Sequence, residues 1–145
     1  MKNKKNYRII TTAIAVFVLV VWMISWAQKQ NSGLENSEVF VTETVETEMK
    51  HVIDLLNHED YEALQELADD TMKEFVSEEV LGDAKTQISE NWGNLEKLGK
   101  IYLSEAEQDG NPMVGGQVKA VYENVKVTYM IVFNQDMKLA GLYIK

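Results

Sequence analysis

Residues 114–144 constrain the fold most strongly, because their hydrophobic pattern predicts two consecutive β-hairpins. A two-residue turn at Glu123 and Asn124 places Tyr122 opposite Val125 and sets the alignment of the two strands. One face then carries only apolar residues and glycine: Tyr122/Val125, Ala120/Val127, Val118/Tyr129, Gly116/Ile131 and Val114/Phe133. The other face is mixed: Val121/Lys126, Lys119/Thr128, Gln117/Met130 and Gly115/Val132. Because side chains alternate between faces, a shift by one residue would mix the two sets, so the pattern predicts a sheet with one buried face.

The second hairpin leaves its loop type open. After the turn-forming residues Asn134, Gln135 and Asp136, the chain returns as a strand over residues 137–144. A two-residue loop puts Ala140, Leu142 and Ile144 on the apolar face, whereas a three-residue loop puts Leu139, Gly141 and Tyr143 there. Both sets are apolar, so the pattern is compatible with either loop.

The N-terminal segment predicts a membrane anchor. Residues 9–27 are almost entirely apolar, and as a helix they span roughly 28 Å, close to the hydrocarbon thickness of a bilayer. The cations of the flank 1–8 place the N-terminus in the cytoplasm by the positive-inside rule. The polar linker 28–37 and a domain of residues 38–145 then lie outside the cell membrane. The rival interpretation is a signal peptide cleaved after Ala27.

Charge and composition exclude several classes of function. The chain has 145 residues, no cysteine and a formal charge of −9, and without the four N-terminal cations the remainder carries −13. Such an acidic domain is repelled by nucleic acid. The absence of cysteine excludes disulfides and cysteine-based zinc sites, and no cofactor is expected. The two histidines, His51 and His58, share a helical face with Asp54, but we interpret this group as a solvated flank and predict no metal site.

The pattern of elements predicts an α+β domain. Ser37 is expected to cap a long helix, Asp60 a second helix over residues 61–68, and Ser77 a helix that ends near Trp92. A short turn is expected at residues 71–74, and a first strand at residues 97–107, ended by the segment 108–112. Helices before strands predict three to four helices on one face of an antiparallel sheet of about four strands.

Three stretches resemble a known family of extracytoplasmic bacterial domains of unknown function. They are NHEDYEALQELADD at residues 57–70, SEEVL at 77–81 with the helix after it, and VFNQDMKLAGLYI at 132–144. That family is similar to the nuclear-transport-factor-2-like (cystatin-like) superfamily, in which helices close over a curved sheet to form a cone. The resemblance covers roughly residues 39–144 and implies shape and location, with no catalytic residues to carry over. The family's last turn commonly ends in glycine, whereas this chain has Met137.

The candidate site is a set of aromatic residues expected to line an apolar pocket with a few hydroxyl groups. These residues are Tyr61, Trp92, Tyr122, Tyr129 and Phe133. They favour a membrane-tethered domain that binds a small apolar ligand or a protein partner and catalyses nothing. The alternative is a small isomerase- or hydrolase-like enzyme that uses an acid in the cone, Glu105 or Glu107, with Tyr129.

The mixed face of the sheet predicts a further contact. Val121, Met130 and Val132 lie there beside polar residues, a composition typical of a non-obligate interface. We therefore expect a weak homodimer through this face.

Overall fold

The structure is a computed structural model that describes residue 34 and residues 37–145. The predicted cytoplasmic flank and membrane anchor, residues 1–27, lie outside this range. Within the described part of the chain, no helix combines the length and the apolar character needed to cross a membrane.

The order of the elements confirms the predicted α+β class. Three helices come first: α1 (Thr42–Asn57), α2 (Tyr61–Leu67) and α3 (Glu78–Ile88), with a 3₁₀ turn at Met72–Glu74. Five strands follow: β1 (Leu95–Leu98), β2 (Tyr102–Gln108), β3 (Asn111–Tyr122), β4 (Lys126–Asn134) and β5 (Leu139–Ile144). All the pairings between these strands are antiparallel.

Two of the three predicted helix caps are present. Asp60 accepts a hydrogen bond from the Ala63 backbone N–H, and Ser77 accepts one from Val80. The prediction for Ser37 is wrong, because α1 begins five residues later, at Thr42. The Ser37 hydroxyl instead accepts from the Phe40 N–H within a separate turn, at 2.9 Å.

The predicted first strand is divided in two, which is why the sheet has five strands rather than about four. Both β1 and β2 pair with the same edge of the long strand β3, and the sheet continues through β4 to β5. The break lies at residues 99–101. Gly99 still donates to the Lys119 carbonyl at 2.8 Å, so β3 loses little pairing at the interruption.

The segment 108–112 ends β2 as expected, and it does so as a tight hairpin that leads directly into β3. Asp109 and Gly110 have φ values of 52° and 81°, as a two-residue turn with two positive φ angles requires. Pro112 pairs with Glu107, next to the hydrogen-bonded pair that flanks the turn. Its nitrogen therefore points away from β2 and toward the side of β4. Because the pairing of β3 with β4 ends at Met113, no strand of the described residues lies there, and the missing N–H of proline removes no hydrogen bond from the sheet.

The predicted alignment of β3 and β4 is confirmed at every pair, from Val114 opposite Phe133 to Val121 opposite Lys126. The hairpin between β4 and β5 combines features of both loop interpretations. Its loop has three residues, 135–137, and Met137 adopts a positive φ of 58°. A bulge at Ala140 then changes the alternation. The residues of β5 on the apolar face are consequently Leu139, Leu142 and Ile144.

The helices cover the apolar face of the sheet, called here the covered face. Helix α1 contributes a buried stripe to one continuous core with it: Val45, Met49, Val52, Ile53 and Leu56. The opposite face carries a separate small cluster of Met113, Met130 and Val132, and the described residues packed against that cluster all belong to the sheet. The homodimer expected through this opposite face stays a prediction.

Candidate functional site

A chain of three polar groups runs through the core between the sheet and the end of α1. The hydroxyl oxygens of Tyr129 and Tyr122 are 2.6 Å apart, and the Tyr122 oxygen is 2.6 Å from Asn57 Oδ1. The two tyrosines face inward from neighbouring strands, and Asn57 is the last residue of α1. Tyr129 is 1 % exposed and Tyr122 is 5 % exposed, whereas Asn57 is half-buried. The chain of hydroxyls therefore leads from the centre of the core toward the surface.

The direction of these hydrogen bonds determines what the site can offer a ligand. Tyr122 donates its proton to the Asn57 carbonyl oxygen, so its own oxygen is left to accept from Tyr129. A phenol has a single proton to donate. Both hydroxyl protons are thus donated to groups within the protein. Toward a ligand the two hydroxyls can only accept hydrogen bonds, and the Tyr129 oxygen has the most capacity to do so.

Burial keeps both phenols neutral. It raises the pKa of Tyr129 far above the usual value for tyrosine, and the neighbouring Tyr122 raises it further. Burial also raises the pKa of Tyr122, although the hydrogen bond that its oxygen accepts from Tyr129 partly opposes this shift. Neither side chain supplies a phenolate base at neutral pH.

Trp92 completes the aromatic cluster, by which we mean Trp92, Tyr122 and Tyr129. Its ring meets the Tyr122 ring edge to face, with centroids 5.0 Å apart and an angle of 71°. The indole N–H donates to the carbonyls of Lys85 and Ser89, at 3.1 and 3.0 Å. The Lys85 carbonyl also accepts from the Ser89 N–H, and Ser89 directly follows the last residue of α3, so Trp92 attaches the end of this helix to the sheet.

The other two predicted site residues lie apart from the cluster. Phe133 is on the covered face, four positions along β4 from Tyr129, about 13 Å away along the strand. Tyr61 is half-buried at the start of α2, and burial followed by the charges of Glu59 and Glu78 raises its pKa. The structure therefore brings together Trp92, Tyr122 and Tyr129, while Tyr61 and Phe133 pack elsewhere on the core.

The two acids considered for catalysis are also distant from the tyrosines. Glu105 lies on the covered face opposite Val114, four positions along β3 from the partner of Tyr129, Val118. Its carboxylate accepts a hydrogen bond from the Ser37 hydroxyl. Glu107 is exposed near the turn that ends β2. The geometry gives Tyr129 neither acid as a close partner.

The histidines form separate local pairs. His51 Nδ1 lies 3.7 Å from the Glu48 carboxylate, and His58 Nδ1 contacts the Asp54 backbone carbonyl at 2.8 Å. Among the described residues, the structure brings no three histidine, aspartate or glutamate side chains into an arrangement suited to a metal ion.

Sequence reasoning missed Asn57, which lies shortly before the predicted cap of the second helix, Asp60. Its only signal was its position, since it follows the last core residue of α1, Leu56, and so ends the helix beside the sheet. The amide oxygen of asparagine can accept a hydrogen bond, and here it accepts the proton of the buried Tyr122 hydroxyl.

Comparison with known proteins assigns the chain to a family. Residues 50–142, from α1 to β5, match the family described as protein of unknown function (DUF3887), and the chain belongs to it. This agrees with the predicted membership of a family of unknown function. An NMR structure of a protein from Ruminococcus gnavus ATCC 29149 has the same fold, with a TM-score of 0.65 and 25 % sequence identity. The alignment covers 75 % of this chain and 95 % of that one. The comparison with curated proteins gives no match.

Proposed function

We propose that this chain is a membrane-tethered, extracytoplasmic domain that binds a small apolar ligand or a protein partner and has no catalytic activity. The observation that carries the proposal is the closed hydrogen-bond chain of Tyr129, Tyr122 and Asn57. A catalytic phenol must direct its proton at the substrate, whereas both phenol protons here are directed at the protein. An aromatic interior with one acceptor and a polar route to the surface suits binding.

The position of the acids supports binding over the enzyme alternative. General acid–base catalysis requires a carboxylate within hydrogen-bond reach of the reacting proton. The Tyr129 hydroxyl is directed along the sheet toward Tyr122, whereas the backbone of Glu105 lies about 13 Å from that of Tyr129 in the opposite direction along the strands, and the Glu105 carboxylate is engaged by Ser37. An isomerase- or hydrolase-like mechanism through this pair would require the two groups to come together.

We also propose the nuclear-transport-factor-2-like cone as the architecture. The arrangement that supports it is a helical layer packed on one face of an antiparallel sheet, with α1 lying across the long strand β3. In such a cone the space between the helices and the sheet holds the ligand. The aromatic cluster lies between the helices and the sheet in this domain, so we propose that it forms the wall of the ligand site.

The proposal predicts that the full chain fractionates with the cell membrane, because residues 9–27 form an apolar run with four cations before it and only Lys29 close after it. In protoplasts, externally added protease is expected to digest the folded domain and to spare a tag placed before Met1. A mature N-terminus at Gln28 in the medium would contradict the anchor while leaving export intact. A protected domain would contradict the extracytoplasmic location.

Ligand binding is tested by native mass spectrometry of the full chain, extracted from membranes in mild detergent. We expect a bound small molecule whose occupancy falls at least fivefold in Tyr122→Phe, which keeps the ring but frees Asn57 and Tyr129. The matched control is Tyr102→Phe, because Tyr102 lies on the opposite face and is 50 % exposed. A wild-type chain without bound mass, or equal occupancy in the two variants, would reject this site.

A further inference from the structure

Four exposed lysines converge at one end of the opposite face of the sheet. Lys119 lies opposite Thr128 in β4, and Lys145 exchanges backbone hydrogen bonds with the same Thr128 at 2.7 and 3.1 Å. Lys97 and Lys126 lie on either side of Val121 in the next row. We call Lys97, Lys119, Lys126 and Lys145 the lysine array.

The array has a defined spacing because the sheet fixes it. Within a row the two lysines are two strands apart, about 10 Å, and the rows are separated by two residues, about 7 Å. All four side chains are exposed, whereas Thr128 and Val121 between them are half-buried. The rows thus place four ammonium groups around a small, flat centre.

The acidic side chains of the domain do not pair with the array. Among the described residues, no Asp or Glu carboxylate forms an ion pair within 4.0 Å with any of its ammonium groups. Of the acids closest in sequence, Glu123 accepts from the Asn94 N–H at 2.9 Å, and Glu96 lies exposed at the bulge of β1. Lys100, whose ammonium lies 5.4 Å from the ring centroid of Tyr102, adds a fifth cation beside the array.

Charge is strongly segregated between the two layers of the domain. Residues 38–90, which form the helices, contain sixteen acidic residues and three lysines. Residues 91–145, which form the sheet, contain six acidic residues and six lysines. Five of these lysines are Lys100 and the four members of the array. The array is therefore a local positive surface on a domain that is otherwise acidic.

We propose that the lysine array binds an anionic polymer with phosphodiester linkages outside the membrane. Lysine binds a phosphate group as a compact point charge, and residues 37–145 contain no arginine. A flexible chain with one phosphate per repeat can place successive phosphates over successive rows. The polymer is the partner that we propose for the extracytoplasmic domain. That it comes from outside the cell membrane rests on the location given under the proposed function.

The position of the tether favours a polymer over the surface of the bilayer. The chain enters the domain where Ser37 bonds Glu105, at the level of Val114 on β3. The array lies at the level of residues 119–121 of β3, which is five to seven positions further along that strand, or roughly 17–23 Å from the entry point. The array is thus at the end of the sheet remote from the tether.

The test measures binding of a fluorescent poly(glycerol phosphate) chain of about ten repeats to the purified full chain in a zwitterionic detergent. The array variant is K97Q/K119Q/K126Q, and the matched control is K50Q/K73Q/K138Q, which removes the same charge from the remainder of the domain. Four phosphate contacts predict a loss of affinity of about 50-fold between 50 and 200 mM salt for wild type and control, against about 3-fold for the array variant. The basic N-terminal flank is the same in all three proteins, so any binding through it contributes equally to the three measured affinities.

Three results would overturn the proposal. Equal binding by the array variant and the control would show that the lysines do not form the site. Tighter, array-dependent binding to phosphatidylglycerol vesicles than to the polymer would assign the array to the bilayer. Array-dependent self-association in sedimentation without polymer would assign it to the acidic helices of a second copy. The protease test of location is independent, so a cytoplasmic domain would refute the proposed function without changing these binding results.

Discussion

Replacing Tyr129 by alanine is expected to lower the free energy of unfolding by about 3–5 kcal/mol, the range for removing a buried aromatic side chain. Tyr129 is 1 % exposed and lies centrally on the covered face, between Val127 and Ile131. The substitution leaves a cavity under α1 and removes the donor to the Tyr122 oxygen. Urea unfolding followed by circular dichroism measures the loss.

Two variants separate the contributions to this loss. Tyr129→Phe keeps the ring and removes only the hydroxyl, so we expect a cost of about 1 kcal/mol. Tyr102→Ala removes an aromatic ring from a half-exposed position on the opposite face and should cost less than about 1 kcal/mol. If Tyr129→Ala cost no more than Tyr102→Ala, the covered face would not be the core of the domain.

Gly116→Val is expected to destabilise the domain by about 3 kcal/mol, at the upper end of the range for overpacking. A β-carbon on Gly116 would overlap the Met49 sulfur and would lie 2.9 Å from Leu103 Cδ2. Met49 is fully buried between α1 and the sheet, so its side chain has no free space into which to move. The glycine is what allows α1 to approach β3 at this point.

A compensating substitution tests this explanation. Met49→Ala removes the atoms that Gly116→Val would meet, so the double variant should be about 1–3 kcal/mol more stable than the sum of the single effects predicts. Gly82→Ala is the matched control, because no atom lies within 4 Å of its added β-carbon inside α3, and we expect a gain of about 0.5–1 kcal/mol. Additive effects at Gly116 and Met49 would show that steric overlap is not the cause.

Features that depend on neighbouring residues in the chain were predictable. Strict alternation on both sides of Glu123 and Asn124 defined the pairing of β3 with β4, because a shift by one residue would expose the apolar set. Asp60 and Ser77 cap their helices as expected, since each cap bonds an N–H three residues ahead. The grouping of Tyr122 with Tyr129 followed from the same alternation.

Other features depend on groups that are distant in sequence. Asn57 joins the site because α1 ends beside the sheet, sixty-five residues before Tyr122. Met137 occupies a left-handed position that favours glycine, and its partly buried side chain packs on the core. Tertiary packing offsets a local preference at this residue, which no local pattern can indicate.

By itself, the sequence determined the α+β class, the pairing of the central strands and which face of the sheet is buried, because period-two alternation and local caps act over a few residues. Only the tertiary structure decided where α1 begins: Ser37 donates to Glu105, sixty-eight residues away, and caps a separate turn at Phe40, so the helix starts only at Thr42. It also decided the bulge at Ala140 that places Leu139 inward and the break at Gly99. Hydrogen bonds and packing between segments that are distant in sequence determine these features. A pattern of residues along the chain does not show which distant segments come into contact.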